Sequence, residues 1–175
     1  MIKNLMLFLG MVLFLIACNG GKKSVEQNTP IDTETLIQMN QDLLSKDMTA
    51  NIDYARAKQW NYIKLENGVI YEIIEHGKGA KAKSKDVVSF SFEMFNLKEE
   101  MIYSSDKKGP KTFVIDYNEI EAGLNDIAKV LNEGDSLRMI LPPHMAFGVP
   151  GDGNKIPART SLVYYLKLLS IQEQN

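Results

Sequence analysis

Residues 87–96 read Val-Val-Ser-Phe-Ser-Phe-Glu-Met-Phe-Asn, and apolar and polar side chains alternate along this stretch. Its two faces consist of Val88, Phe90, Phe92 and Met94 on one side and Ser89, Ser91 and Glu93 on the other. A period of two is typical of a β-strand with one buried face and one solvated face. The stretch therefore predicts a strand that lies against a hydrophobic core.

Further short strands are predicted on both sides of this one, at 69–75, 101–105, 112–116, 136–141 and 161–170. A helix interrupts them, because Ile120, Leu124 and Ile127 recur at helical spacing and Gly134 provides an end. Asn118 and Glu121 stand three residues apart, as in a capping box, and are expected to begin this helix. Five or six strands around one short helix predict an α+β fold.

A second helical region precedes the strands, and we assign residues 31–62 to it as an N-terminal helical extension. Asp32 or Thr33 can cap it, and two apolar stripes follow at near-helical spacing. Their members are Leu36, Ile37, Met39, Leu43 and Leu44, and then Met48, Ile52, Ala55 and Trp60. The stripes favour a packing face over a cofactor site. One bent helix or two short helices would fit the pattern.

The N-terminal segment has the pattern of an export signal. Residues 1–17 contain one lysine and an apolar run of about 13 residues, shorter than the ~20 that cross a bilayer as a helix. The run ends at Leu15-Ile16-Ala17-Cys18, which resembles the bacterial lipobox. That resemblance implies a signal peptide at 1–17, lipid on Cys18 and a lipidated flexible tether at 18–30. An uncleaved anchor with an incidental cysteine is the alternative.

Composition excludes several classes of function. The chain has 20 Lys+Arg against 22 Asp+Glu, so no basic excess favours nucleic acid as a partner. One cysteine and two histidines exclude a multi-cysteine zinc site, a disulfide framework and most histidine-rich metal sites. We expect no metal and no cofactor. The loop at 142–160 carries Phe147 and the dipeptide Ile156-Pro157 among glycines and prolines, and is predicted to form a lip over a pocket.

Residues 68–170 resemble a domain of the FKBP-type peptidyl-prolyl cis-trans isomerases. The resemblance is carried by Gly68-Val69, Val87-Val88-Ser89-Phe90, Ser104-Ser105, Phe113-Val114-Ile115, Gly123, Gly134-Asp135, Ala146-Phe147-Gly148, Ile156-Pro157 and Leu162-Val163-Tyr164. It implies an antiparallel sheet wrapped around a short helix, in a domain that we assign to residues 63–175. It also implies an isomerase of X–Pro bonds that uses an apolar aromatic pocket and needs neither an acid–base pair nor a cofactor.

The same resemblance implies the residues of the site. Phe90, Tyr103 and Phe147 take the catalytic positions. The substrate-binding positions are Ile102, Phe113, Ile120, Glu121, Leu124, Ile156 and Tyr164. At the position of Glu121 the family uses the backbone N–H, so the side chain is expected to matter less. Leu124 is expected to form the floor of the slot for the proline ring.

Several of these positions depart from the family pattern. The family usually has Tyr at Phe90 and Phe147, Asp at Tyr103, Trp at Leu124, and Phe at Ile102 and Lys111. A hydroxyl lost at Phe147 removes a hydrogen bond that typically contributes ~0.5–1.5 kcal/mol. Three hypotheses stay open: an isomerase that assists folding of exported proteins; a catalytically weak or inactive chaperone or assembly module of a gliding or secretion apparatus; and a purely structural lipoprotein of such an apparatus.

The helical extension adds a second resemblance. Asn40, Leu44, Ile52, Tyr54, Trp60 and the run 68–71 resemble the preface of bacterial lipoprotein isomerases associated with gliding motility. The expected partners are proline-containing exported polypeptides and, through lipid on Cys18, a membrane. Asn19 is not the aspartate linked to inner-membrane retention, so the expected location is the cell envelope, at the outer membrane facing the periplasm. We expect a monomer, with a homodimer through the helical extension as the alternative.

Overall fold

The computed structural model describes residues 32–117 and 120–173. The predictions of a signal peptide, a lipidated Cys18 and a tether, and the capping role of Asn118, lie outside the described residues. Contacts divide the chain into two units, 1–36 and 37–175. In the first unit only residues 32–36 are described, and residues 33–36 are the beginning of a helix.

This helix, α1, spans Thr33–Ala57 without interruption. The Asp32 carboxylate accepts hydrogen bonds from the backbone N–H of Thr35 at 2.9 Å and from its hydroxyl at 2.7 Å. The first bond gives a partner to one of the N–H groups that the first turn of a helix leaves free. These hydrogen bonds lower the pKa of Asp32. The extension is therefore one long helix. Among the described residues, no helix has the length and apolar character needed to cross a membrane.

Seven strands form one antiparallel sheet: β1 Ile63–Lys64, β2 Ile70–Glu75, β3 Val87–Asn96, β4 Met101–Ser104, β5 Lys111–Val114, β6 Ser136–Leu141 and β7 Leu162–Gln172. Their order is β1-β2-β6-β7-β3-β4, and β5 also pairs with β3. Two short helices, α2 (Ser105–Lys108) and α3 (Ala122–Ala128), and a 3₁₀ turn at Pro143–Met145 complete the elements. The predicted α+β class, with an N-terminal helix, is confirmed.

Strand β3 has the bounds that its alternating sequence predicts. The four side chains of its apolar face, Val88, Phe90, Phe92 and Met94, are all buried. It pairs with β7 along its whole length, from Val87 opposite Gln172 to Asn96 opposite Leu162, with one register shift after Ser89. On its other edge it pairs first with β5 and then with β4. The stretch therefore connects both halves of the sheet.

Helix α3 packs into the curve of the sheet through Leu124, Ile127 and Ala128, which have no exposed surface. Gly123 permits this close approach, because a Cβ there would lie 2.4 Å from a methyl carbon of Leu141. A smaller cluster covers the opposite face of the sheet, where Ala55 and Trp60 meet alternate strand residues. Residues at the end of the helical extension thus pack against the back of the sheet.

Two local predictions near α3 are wrong. The helix is shorter than its apolar pattern suggests, because it begins at Ala122 and ends at Ala128, so that buried Leu131 lies beyond it. Glu121 is the N-cap and its side chain makes no capping hydrogen bond, which excludes the capping box. The carboxylate is instead turned towards β5 and β7, where stronger partners are available.

Candidate functional site

Nine of the ten residues that the resemblance assigns to the site belong to or pack against the main hydrophobic cluster, and the tenth, Glu121, is hydrogen-bonded to one of its members. Six belong to the main hydrophobic cluster and are buried: Phe90, Ile102, Phe113, Leu124, Ile156 and Tyr164. Three are half-buried against it: Tyr103, Ile120 and Phe147. Glu121 is buried as well and contacts Tyr164. Strands β3, β4, β5 and β7, the start of α3 and the loop after β6 contribute them.

Aromatic rings form the inner part of this site. Phe90 and Phe113 stack on neighbouring strands, with ring centroids 5.8 Å apart and planes at 10°. The rings of Phe92 and Tyr164 have centroids 6.3 Å apart. Phe92 was not among the site residues assigned from the sequence. Phe90, Leu124 and Tyr164 have no exposed surface. The accessible part of the site therefore consists of the half-buried residues, with the rings beneath them as support.

A buried polar network stands at one end of the site. The Lys111 ammonium lies 2.6 Å from both carboxylate oxygens of Glu121, and the Tyr164 hydroxyl donates to Oε1 at 2.8 Å. The Glu121 side chain is 5% exposed and that of Lys111 is 23% exposed, so the ion pair closes over the carboxylate from the solvent side. Burial and the adjacent carboxylate raise the pKa of Tyr164 well above its usual value, which keeps the phenol protonated and donating.

This network adds two features to the site predicted from the sequence. The pocket is not apolar throughout, since an ion pair and a phenol occupy one end of it. The Glu121 side chain, expected to matter little, is the centre of the network because it accepts from both β5 and β7. The sequence contained an indication of this ion pair. Lys111 replaces an aromatic residue of the family pattern, and an acidic residue, Glu121, follows it ten positions later. A cation and an anion both directed into an apolar site are expected to pair.

Tyr103 binds the loop that follows β6. Its hydroxyl donates to Oδ2 of Asp152 at 2.5 Å, while Oδ1 accepts the backbone N–H groups of Asn154 at 2.9 Å and Ile156 at 2.7 Å. These hydrogen bonds, that of Tyr103 first, lower the pKa of Asp152 to about 2. The same hydrogen bond raises the pKa of Tyr103. Tyr103 thus positions buried Ile156 as well as bordering the site.

The loop that carries Phe147 is also bound to the helical extension. The Arg159 guanidinium lies 2.6 Å from the Asp47 carboxylate of α1, and the Arg159 backbone N–H donates to the carbonyl of Gly148 at 3.1 Å. Because Gly148 follows Phe147, this pair of contacts holds the backbone beside a predicted catalytic residue. No local pattern in the sequence predicts this ion pair, because Asp47 and Arg159 are 112 residues apart in the chain.

The arrangement suits binding and desolvation of an apolar segment. Half-buried Phe147 and Ile120 offer apolar contact, and Tyr103 and the exposed edge of Lys111 offer polar groups at the rim. Within residues 32–117 and 120–173, no three His, Cys, Asp or Glu side chains are grouped so as to hold a metal ion.

Comparisons with known proteins agree with this geometry. Residues 78–169 match the family of FKBP-type peptidyl-prolyl cis-trans isomerases. The chain is 27% identical over 118 residues to the macrophage infectivity potentiator of Trypanosoma cruzi, covering 67% of this chain and 60% of that protein. It is 30% identical over 120 residues to the FKBP-type peptidyl-prolyl cis-trans isomerase FkpA of Aeromonas hydrophila, covering 68% of this chain and 44% of that protein.

A solved structure supports the fold. The peptidyl-prolyl cis-trans isomerase of Pseudomonas syringae superposes with a TM-score of 0.65 at 19% identity, covering 76% of this chain and 96% of that one. The match to the two sequence relatives spans about half of their length, so it concerns the domain that surrounds the site.

The buried ion pair predicts a strong coupling between its two residues. We expect Lys111→Met to lower the free energy of unfolding by about 2–3 kcal/mol, because the carboxylate is left buried without its cation. Lys111→Met combined with Glu121→Gln should recover most of this loss, since the neutral amide still accepts from Tyr164. Urea unfolding followed by Trp60 fluorescence measures both. Exposed Lys98→Met is the control and should change stability by under about 0.5 kcal/mol. Equal losses in the single and double variants would contradict the pairing.

The hydrogen bond of Tyr103 predicts a pH dependence in the loop. The folded carboxyl of Asp152 titrates at about 2, below the ~3.9 of an unfolded aspartate. Its contribution to stability is therefore complete above about pH 4 and is lost as the pH falls through about 2. In Tyr103→Phe the pKa should move towards the ordinary value, as followed by the ¹³C shift of the Asp152 carboxyl. Exposed Tyr117→Phe should leave it unchanged, and a wild-type pKa near 4 would refute the assignment.

Proposed function

The chain belongs to the FKBP-type peptidyl-prolyl cis-trans isomerase family, and we propose that it catalyses cis–trans isomerisation of X–Pro bonds in polypeptides bound at the site described above. One observation supports the proposal: nine of the ten residues that the family pattern assigns to the site belong to or pack against one hydrophobic cluster, and the tenth, Glu121, is hydrogen-bonded to Tyr164. They come from elements spread over residues 90–164, so their meeting depends on the whole fold.

The reaction needs little chemistry from side chains. Rotation about the X–Pro bond crosses a barrier of ~18–20 kcal/mol because amide resonance is lost on the way. The twisted amide is less charge-separated than the planar one, so removing it from water favours it. Phe147 and Ile120 supply the apolar surface, and the stacked rings of Phe90 and Phe113 keep that surface rigid. The proline ring binds against the half-buried side chains, because the deeper ones are already packed.

A second function is favoured by the polar network. Lys111 and Glu121 place a buried ion pair beside the apolar residues of the site, and Phe147 lacks the hydroxyl that usually orients the substrate carbonyl. A weakly catalytic or inactive chaperone or assembly module, such as one acting in a gliding or secretion apparatus, would use the same groove for binding alone. Absence of turnover together with retained binding of unfolded protein would identify this function.

Turnover tests the first proposal directly. The full chain in nonionic detergent should accelerate isomerisation of an Ala-Leu-Pro-Phe peptide, and Phe147→Ala should lower kcat/KM by roughly tenfold or more, because a half-buried contact surface is lost. Val149→Ala is the matched control, since Val149 lies in the same loop and is 66% exposed. An unchanged rate in Phe147→Ala would place the reaction elsewhere, and no acceleration by wild type would refute the enzyme.

We also propose that the protein acts in the cell envelope, anchored by lipid on Cys18 at the outer membrane and facing the periplasm. The lipobox resemblance supports this, and proline-containing exported polypeptides would then be its partners. In this proposal it acts as a monomer. The alternative homodimer would use the helical extension, where Leu36, Ile37, Met39 and Leu44 of α1 are exposed.

Lipidation has a direct test. Cells that express the full chain and are fed labelled palmitate should incorporate the label into the protein, because the acyl chains are attached through residue 18. Cys18→Ser should abolish incorporation and leave an unprocessed chain. Ser24→Ala, a hydroxyl removed from the same polar segment, serves as the control. Label retained in Cys18→Ser would overturn the assignment.

A further inference from the structure

A cavity of about 380 Å³ adjoins the candidate site. It is lined by Met101, Ile102, Tyr103, Ser104, Lys107, Lys108, Asn154 and Lys155. Ile102 and Tyr103 also belong to the ten residues of the site, so the two spaces share a wall. A peptide bound against Phe147 and Tyr103 would therefore present a neighbouring residue to this cavity.

The wall of the cavity is positively charged. Lys107, Lys108 and Lys155 are exposed, and no acidic residue of the described ranges lines the cavity with them. Two of the ammonium groups lie close to the ring of Tyr103, at 3.6 Å from its centroid for Lys108 and 5.6 Å for Lys155. Cations from two separate segments, α2 and the loop after β6, thus gather around a single residue of the site.

These lysines have no direct ionic partner. In the described parts of the chain, no ion pair involves any of the three lysines. Two acids lie near them along the chain, Asp106 beside Lys107 and Asp152, which is hydrogen-bonded to Tyr103, so three positive charges face two negative ones. The lysines therefore keep their capacity to bind an anionic group from outside the chain.

We infer that this cavity is a subsite for a carboxylate side chain beside the proline, so that the protein prefers X–Pro segments flanked by Glu or Asp. The inference rests on the proposed function, whose site it extends. The ammonium groups attract the carboxylate, and the exposed face of Met101 contacts its methylene groups. The apolar site then holds the proline while the basic cavity selects its neighbour.

The test compares isosteric peptides on the full chain in nonionic detergent. Protease-free NMR exchange measures kcat/KM for Ala-Glu-Pro-Ala-Phe and Ala-Ala-Pro-Glu-Phe, each against its Gln counterpart. At low salt one Glu peptide should exceed its Gln counterpart by roughly threefold to tenfold, as two or three exposed charge pairs allow. The ratio should fall towards one at 0.5 M salt, since the charges are screened.

Two triple variants locate the effect. Lys107→Gln, Lys108→Gln and Lys155→Gln together should bring the ratio to about one. Lys46→Gln, Lys78→Gln and Lys81→Gln together remove the same charge from exposed positions that do not line the cavity, and should preserve the ratio. A ratio that persists without the cavity lysines, or that disappears in the control variant, would overturn the inference.

The outcomes also separate this inference from the proposed function. Equal turnover of Glu and Gln peptides would refute the subsite and leave the isomerase intact. If no peptide is turned over, the isomerase is refuted, and fluorescence anisotropy of the labelled Glu and Gln peptides then tests the subsite by affinity alone. Equal or absent binding in that experiment overturns the inference, and tighter binding of a Glu peptide, lost with the cavity lysines, supports it.

Discussion

Strand β7 is the element on which the sheet depends, because it is hydrogen-bonded along both edges. It pairs with β6 on one side and with β3 on the other, and every other strand joins the sheet through one of these two. Its register fixes Tyr164 between Met94 and Met139, on the core face. A slip of one residue would exchange buried Tyr164 for Tyr165, which lies on the opposite face, and would remove the donor that Glu121 requires.

Glu121 connects the site to strand β7 through its hydrogen bond with Tyr164. Its carboxylate accepts from Lys111 at the start of β5 and from Tyr164 in β7, so one buried charge joins two strands and the N-terminus of α3. Buried ion pairs contribute little net stability, because desolvation offsets most of the attraction. What the pair supplies here is geometry, because it connects the residue at the N-terminus of α3 to the first residue of β5.

Predictions from the sequence were accurate where a single local pattern determines a strand. The bounds of β3 and β6 agree with prediction, because alternation or a short apolar run was enclosed by clear turn residues. The members of the site were assigned from the family pattern and stay a prediction. The capping box failed because a local rule assigned Glu121 to the helix terminus, while the fold offered its carboxylate a lysine and a phenol. The contact of Arg159 with Asp47 had no local signal at all, since it depends on how α1 lies against a distant loop.

The central position of β7 also affects how the protein is made. Synthesis proceeds from the N-terminus, and residues 162–172 follow every other strand of the sheet along the chain. Until they leave the ribosome, β3 and β6 each present an edge without its partner, and such edges pair readily with other chains. The sheet of the nascent domain is therefore completed only after β7 has emerged. The halves that contain β3 and β6 then join through this strand in one late step.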